Sequence, residues 1–193
     1  MRIFFDFEFT GLHKATTPIS LGMITENGHK FYAEFNDYDE SQCDQWIKDN
    51  VISKLTYSDY VHFFENNEED KFFSIKHDKQ TISDALITWL KQFKDIEFWG
   101  DTLAFDWVLF MDLYFMGEPS RKLPNNFNGY QPYDMATVLK IWYHDPKKNR
   151  HLILGLDENS AQHNALYDAE ITMKLHKKII LDGAYDRAFN INQ

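Results

Sequence analysis

A single cysteine, Cys43, stands among the 193 residues. That excludes an intramolecular disulfide framework and a thiolate metal cluster, and it fits a reducing, cytoplasmic compartment. No secretory leader is expected, because Arg2 runs straight into an apolar segment that cleavage of a leader would destroy. Long apolar runs are missing as well. The most apolar stretch, Leu103 to Met116, is too short to span a bilayer and carries two acids, so a buried helix and no membrane association are expected. Positive charge is scarce: 20 Lys and Arg stand against 30 Asp and Glu, a net charge of −10. Such a balance argues against tight, non-specific binding to nucleic acid, because long-range repulsion opposes a polyanion; it does not exclude an enzyme acting on one. No P-loop, glycine-rich dinucleotide turn or Ser-His-Asp order is present, and there are no internal repeats.

What the chain does hold is aromatic. Its 17 Phe, 10 Tyr and 5 Trp lie within a 44% apolar composition, ample for one packed domain over residues 1–193. Several of those rings open the chain, Ile3-Phe4-Phe5-Asp6-Phe7-Glu8-Phe9, closed by Thr10-Gly11. This reads as a strand, with Ile3, Phe5, Phe7 and Phe9 on one face and Asp6 and Glu8 on the other. Two acids side by side on an inner strand repel unless a cation joins them, and oxygen donors of this kind suit Mg²⁺ or Mn²⁺. For this segment alone, an edge strand with a solvated acidic face is the alternative.

Further along, Pro18 to Thr25 and Lys30 to Phe35 read as strands joined by the Glu26-Asn27-Gly28 turn, giving an antiparallel meander. Ser41 to Val51 reads as a helix with Trp46 and Ile47 inward. Glu65 to Lys71 reads as an acidic loop, and Gln80 to Phe93 as a helix. Ile96 to Trp99 is a short strand, the buried helix follows, and Gly117 to Pro132 is a loop. Asp134 caps a helix to about Tyr143, a basic segment runs from Lys147 to Arg150, and a last helix spans about Ala165 to Leu181. The order predicts a mixed sheet with helices on its faces.

Three of these elements carry acids in apolar company. Asp106 shares a helical stripe with Leu103, Trp107, Phe110, Leu113 and Tyr114, whereas Asp112 falls on the side left for solvent. Asp101 follows Gly100 and reads as an N-cap. Asp168 lies on a stripe with Ala165, Thr172, Leu175 and Ile179; taken alone, it also reads as a first-turn acid favoured by the helix dipole. His163, five residues earlier, would not share a helical face with Asp168, so it is expected in the entry loop with Asn164 near the cap. Four inward carboxylates, Asp6, Glu8, Asp106 and Asp168, would hold two divalent ions roughly 3.5–4 Å apart, with His163 as general base for phosphodiester hydrolysis.

The set Asp6-Phe7-Glu8, Phe105-Asp106 and His163-x4-Asp168 resembles the DEDDh 3′–5′ exonucleases, over about residues 3 to 181. The strand beginning at residue 2 and the segment Trp46 to Leu55 look more specifically like the bacterial and phage exoribonucleases of the ribonuclease-T-like, mycobacterial type. The resemblance implies an α/β, ribonuclease-H-like fold with a five-stranded mixed sheet. It implies hydrolysis from the 3′ end of single-stranded RNA or 3′ overhangs, releasing nucleoside 5′-monophosphates with two Mg²⁺ or Mn²⁺ ions. RNA is favoured over DNA as partner, and a homodimer is common among relatives, although no helix stripe here is clearly left over for an interface. Thr10, Gly11 and Leu12 match the turn that approaches the terminal nucleotide, the leucine wedging beneath its base, and Phe9 would add a stacking surface.

One departure concerns the stretch before Phe105-Asp106, where many relatives have His-Asn and this chain has Gly100-Asp101-Thr102-Leu103-Ala104. An acid there would alter how the substrate backbone is held. Lys14, Arg121, Lys122, Lys147, Lys148 and Arg150 are candidates for phosphate contact, each equally readable as a solvated side chain. A proofreading-type single-stranded DNA exonuclease and a non-catalytic nucleic-acid binder are the alternatives; the binder predicts the loss of a motif acid, and all five motif residues are present.

Overall fold

Alternation along the first strand decides the architecture. In the computed structural model, which describes residues 1–56, 71–118, 122–157 and 162–182, β1 (Arg2–Phe9) buries Ile3, Phe5 and Phe7 on one face and turns Phe4, Asp6 and Glu8 to the other. The Asn27-Gly28 turn, with Gly28 at φ 86°, folds β2 (Pro18–Thr25) and β3 (Lys30–Phe35) into the expected meander. Beyond them lie β4 (Phe72–His77), β5 (Glu97–Gly100) and β6 (Tyr133–Asp134), in the sheet order β4-β3-β2-β1-β5-β6. β1–β2 and β2–β3 are antiparallel; β3–β4, β1–β5 and β5–β6 are parallel.

Among the described residues the sheet therefore has six strands, not five. β4 abuts the acidic segment that masks its pattern, and β6 is only two residues long, too short for any periodicity to register. The acidic stretch over 65–70 and Arg121 lie outside the described residues.

Two helices cover the aromatic face: α2 (Lys79–Leu90) through Ile82, Leu86 and Trp89, and α3 (Asp106–Phe115) through Leu109, Phe110 and Leu113. Phe98 and Phe110 meet at 4.8 Å between ring centroids, and Phe5 and Phe110 at 5.7 Å. Asp112 does face solvent, paired with Lys79. On this chain α1 is Gln45–Asn50, α4 Met135–Tyr143, α5 Arg150–Leu154 and α6 Ala165–His176, the last continued by a π-helical turn through Asp182. α6 covers the opposite face of the sheet, where Ala169 packs on Phe4 and Ile24. Asp134 caps α4 as expected, accepting from the Ala136 N–H at 2.9 Å. Among the described residues, no helix is long and apolar enough to cross a membrane.

Candidate active site

Gly22 sets the approach of α6. It pairs with Asp6 across β1 and β2, and a Cβ there would lie 2.2 to 2.3 Å from backbone atoms of Ala165 and Leu166. Only a residue without a side chain admits the helix that close. The first turn of α6 consequently rests on the strand beside Asp6, and Asp168 reaches Glu8. One oxygen each of Glu8 and Asp168 and a ring nitrogen of His163 all lie within 4.8 Å of one another.

Asp106 arrives from the other side of β1. Register with β5 ends at Phe4, and the Phe7 N–H beyond it donates to Asp106 Oδ1 at 2.9 Å. This ties the start of α3 to the strand and leaves Oδ2 for another partner. Asp168 is held similarly: the His163 N–H donates to its Oδ2 at 2.8 Å. His163 lies just before the helix, as expected, with φ 66°, while the Asn164 side chain caps α6 by accepting from the Tyr167 N–H at 3.2 Å. Left-handed backbone at a non-glycine residue is strained, and here it turns His163 back towards the acids.

The electrostatics are those of a site short of positive charge. Burial, then repulsion from Asp106, Glu8, Asp168 and Asp101, pushes Asp6 well above the usual carboxylate range. Burial with Asp168 and Asp106 nearby raises Glu8 to about 8. Burial raises Asp106 and Asp168 to about 6 each, against the downward pull of the N–H groups they accept. Burial also lowers His163, with Lys54 adding to the effect.

The loop after β1 is tied by Thr10, whose hydroxyl donates to Gln42 Oε1 at 2.6 Å and accepts from the Thr17 N–H at 2.9 Å. Gly11 N–H donates to the Thr16 hydroxyl, and Leu12 projects into solvent at 79% exposure. The register shifts between Glu8 and Phe9, and the Phe9 ring, only half-buried, stacks on Phe105 at 5.6 Å.

Two expectations are corrected. Trp46 does not point inward; it is 53% exposed, because α1 has six residues and gives its buried side to Ile47, one helical step away. Its ring meets His163 edge-on at 5.1 Å instead. Asp101 does not cap α3. The chain turns at Thr102, in left-handed backbone at φ 63°, and α3 starts only at Asp106 with no side-chain cap. The Asp101 carboxylate is taken by the Arg150 fork, Nε to Oδ2 at 2.6 Å and Nη2 to Oδ1 at 2.7 Å.

Of the basic candidates, Lys147 and Arg150 line a cavity of about 530 Å³ together with Asp6, Asp101, His163 and Asp168. Lys14 and Lys122 are solvated, and Lys148 lies over the Tyr143 ring at 4.8 Å. Sequence reasoning passed over Gly22 and the Asp101–Arg150 fork. A glycine inside an apolar strand is itself a signal of close backbone approach; a pair 49 residues apart leaves none.

A ribonuclease-H-like sheet with Asp6, Glu8, Asp106, Asp168 and His163 gathered at one end of its first strand defines the DEDDh class of exonucleases. Residues 1–180 match the profile of the family described as "3'-5' exoribonuclease Rv2179c-like domain", and the chain belongs to that family. Two curated relatives from Mycobacterium tuberculosis are similar: the 3'-5' exoribonuclease Rv2179c of strain ATCC 25618 / H37Rv and the 3'-5' exoribonuclease MT2234.1 of strain CDC 1551 / Oshkosh. Each is 33% identical over 55 residues, 28% of this chain and 33% of the relative, so the chain spans about a third of the length of the curated relatives it matches. Among solved structures, S. pombe Pop2p in a Mg²⁺- and Mn²⁺-bound form is similar with a TM-score of 0.59 at 13% identity, covering 92% of this chain and 82% of that one. The RNase domain of yeast Pop2 gives 0.58 at 13%, covering 93% and 77%. At that identity the likeness is one of fold.

Proposed function

We propose that this chain is a metal-dependent 3′–5′ exoribonuclease that releases nucleoside 5′-monophosphates from the 3′ end of single-stranded RNA or of a 3′ overhang. The observation that carries the reading is the convergence of four carboxylates from three separate segments, with His163 beside them. Membership in a family described as 3'-5' exoribonuclease supports the reaction class and the choice of RNA.

The donor set fits two Mg²⁺ or Mn²⁺ ions. Asp6, Glu8, Asp106 and Asp168 are all oxygen ligands, and their mutual repulsion is what a divalent cation relieves. Asp106 and Asp168 each keep one oxygen outside the backbone hydrogen bond that orients them. When bound, such cations acidify a water and neutralise the charge developing on the leaving 3′-oxygen.

The protein's own contribution is placement and proton transfer. His163 takes the proton of the attacking water at an imidazole nitrogen. Its lowered pKa keeps the ring neutral, and therefore basic, throughout the neutral range. The new oxygen–phosphorus bond forms as the bond to the 3′-oxygen breaks, with no covalent enzyme intermediate. Thr10 fixes the loop, Gly11 lets the terminal nucleotide approach, and the exposed Leu12 supplies an apolar surface for its base, with the half-buried Phe9, stacked on Phe105, as a further stacking surface.

The test is a 5′-labelled single-stranded RNA and the matching DNA, incubated in Mg²⁺ and resolved at nucleotide resolution. A 3′-shortening RNA ladder, absent with EDTA and in Asp6→Asn, is expected. Intact strands in every lane, from folded protein, would refute the reading, and the DNA lane decides the sugar.

A further inference from the structure

Asp101 brings a fifth carboxylate to a site that already holds four. It lines the same cavity as Asp6 and Asp168, and its charge acts on Asp6, Asp106 and Asp168. Its turn is pinned on both sides: the Thr102 N–H donates to Asp134 Oδ1 at 2.9 Å, and Arg150 forks onto the carboxylate itself. Both side chains of the pair are 19% exposed, so the guanidinium and the carboxylate are largely withdrawn from water. The remaining Arg150 arm donates from Nη1 to the Lys148 carbonyl at 3.0 Å, which draws in the backbone of the basic segment. A planar, bidentate pair of this kind fixes geometry as well as charge.

We propose that Asp101 and Arg150 form a charge-setting pair for the exonuclease site, in which Arg150 cancels a fifth acid so that the cavity still admits an RNA phosphate, at some cost in how tightly it holds its cations. The proposal deepens the exoribonuclease reading and rests on it for the RNA substrate. Arg150 acts through Asp101 and through the cavity wall that α5 begins, and is therefore a positioning residue.

Opposite changes of charge separate this role from a structural one. Arg150→Gln turns the pair from neutral to negative. It should tighten Mn²⁺ binding, read from the EPR signal of the free ion, by about 3- to 10-fold, and raise KM for RNA by a similar factor, as expected for one unit of charge near a partly buried site. Asp101→Asn turns the pair positive and should move both readouts the other way. The double variant Arg150→Gln/Asp101→Asn should return both towards wild type. A structural strut predicts instead that both single variants weaken cation and RNA binding together, and that result overturns the proposal. If Arg150→Gln does not fold, Asp101→Asn decides it alone, since weaker Mn²⁺ binding with a lower KM is required. Mn²⁺ binding needs no turnover, so a wild-type protein that binds the ion but degrades no RNA sinks the exoribonuclease reading while the charge-setting role is still measured.

Discussion

Replacing one of the acids at the centre of the site should make the metal-free protein more stable. Glu8 stands at about 8 in the folded chain against 4.5 for the free side chain, because burial and the neighbouring acids penalise its charge. A raised carboxylate binds its proton more tightly in the folded state, so folding is penalised wherever the unfolded chain has released that proton. The penalty is absent below about pH 4, grows as pH rises from 4.5 to 8, and levels off above that. At pH 8 its ceiling is on the order of 4 kcal/mol, at about 1.4 kcal/mol per unit. Glu8→Gln removes it. Against that stands the burial of an amide with incomplete hydrogen bonding, about 1–3 kcal/mol. A net gain of at least about 1 kcal/mol remains, and a chain of this length converts it to about 2–4 °C in Tm. The assay is thermal unfolding of both proteins in EDTA at pH 4, 6 and 8. Comparing variant with wild type at each pH cancels other titrations, such as that of His176, which burial lowers to about 4 and which acts in the opposite sense. At pH 4 only the amide cost is left and the variant should be the less stable; the difference should turn in the variant's favour as pH rises and favour it most at pH 8. With Mg²⁺ at about 100 times its dissociation constant, wild type should recover about 2.7 kcal/mol and the order of the two proteins should reverse or close. A variant less stable than wild type at pH 8 in EDTA, or a difference that does not depend on pH, refutes the account of the site as an uncompensated acidic cluster.

Other outcomes follow from individual contacts. Gly22→Ala places a methyl group inside the backbone of α6 and should cost about 1–3 kcal/mol by overpacking; because the helix carries Asp168, RNA hydrolysis should fall by more than about 10-fold, and a variant unchanged in both Tm and rate would contradict the packing argument. His163→Ala should lower kcat by about 10²- to 10⁴-fold. In wild type, activity should be lost only as pH drops below the ordinary histidine range, because the His163 pKa is lowered, and a pH–rate profile with that acid limb intact in the variant would exclude His163 as the base. Leu12→Ala removes a side chain that packs on little, so Tm should shift by under about 0.5 kcal/mol equivalent while KM for RNA rises; a stability loss without a KM change would make Leu12 structural.

Much of this site was legible because apolar neighbours make a buried charge conspicuous. Asp6 and Glu8 stand out against Phe5 and Phe7 at period two, and Asp106 against Phe110 and Leu113 at helical spacing, and the structure buries those apolar side chains. β2 and β3 keep the expected bounds because their turn chemistry is local. The errors arise where a residue's fate is decided from far along the chain. Asp101 has the right place for a cap, yet a guanidinium fork from α5 offers its carboxylate a stronger partner than free backbone N–H groups do. Trp46 carries the apolar bulk expected of a core residue, yet a six-residue helix has one buried side, and Ile47 occupies it. β6 exists as two residues because the Tyr133–Asp134 backbone finds Trp99 and Gly100 in register, which no pattern in those two residues foretells.

The same division explains how the site is assembled. Its acids are local features, each readable on its own element, but what brings them to one place is not acidic at all. Gly22 admits α6, the Phe7 N–H holds Asp106, and the His163 backbone holds Asp168. None of these three supports uses a side chain: one is a missing Cβ and two are peptide N–H groups. Backbone contacts of this sort cannot be supplied by a sequence motif alone; they require the sheet and α6 to be in register. A chain that kept all five motif residues and lost the glycine at position 22 would therefore keep the pattern and lose the geometry.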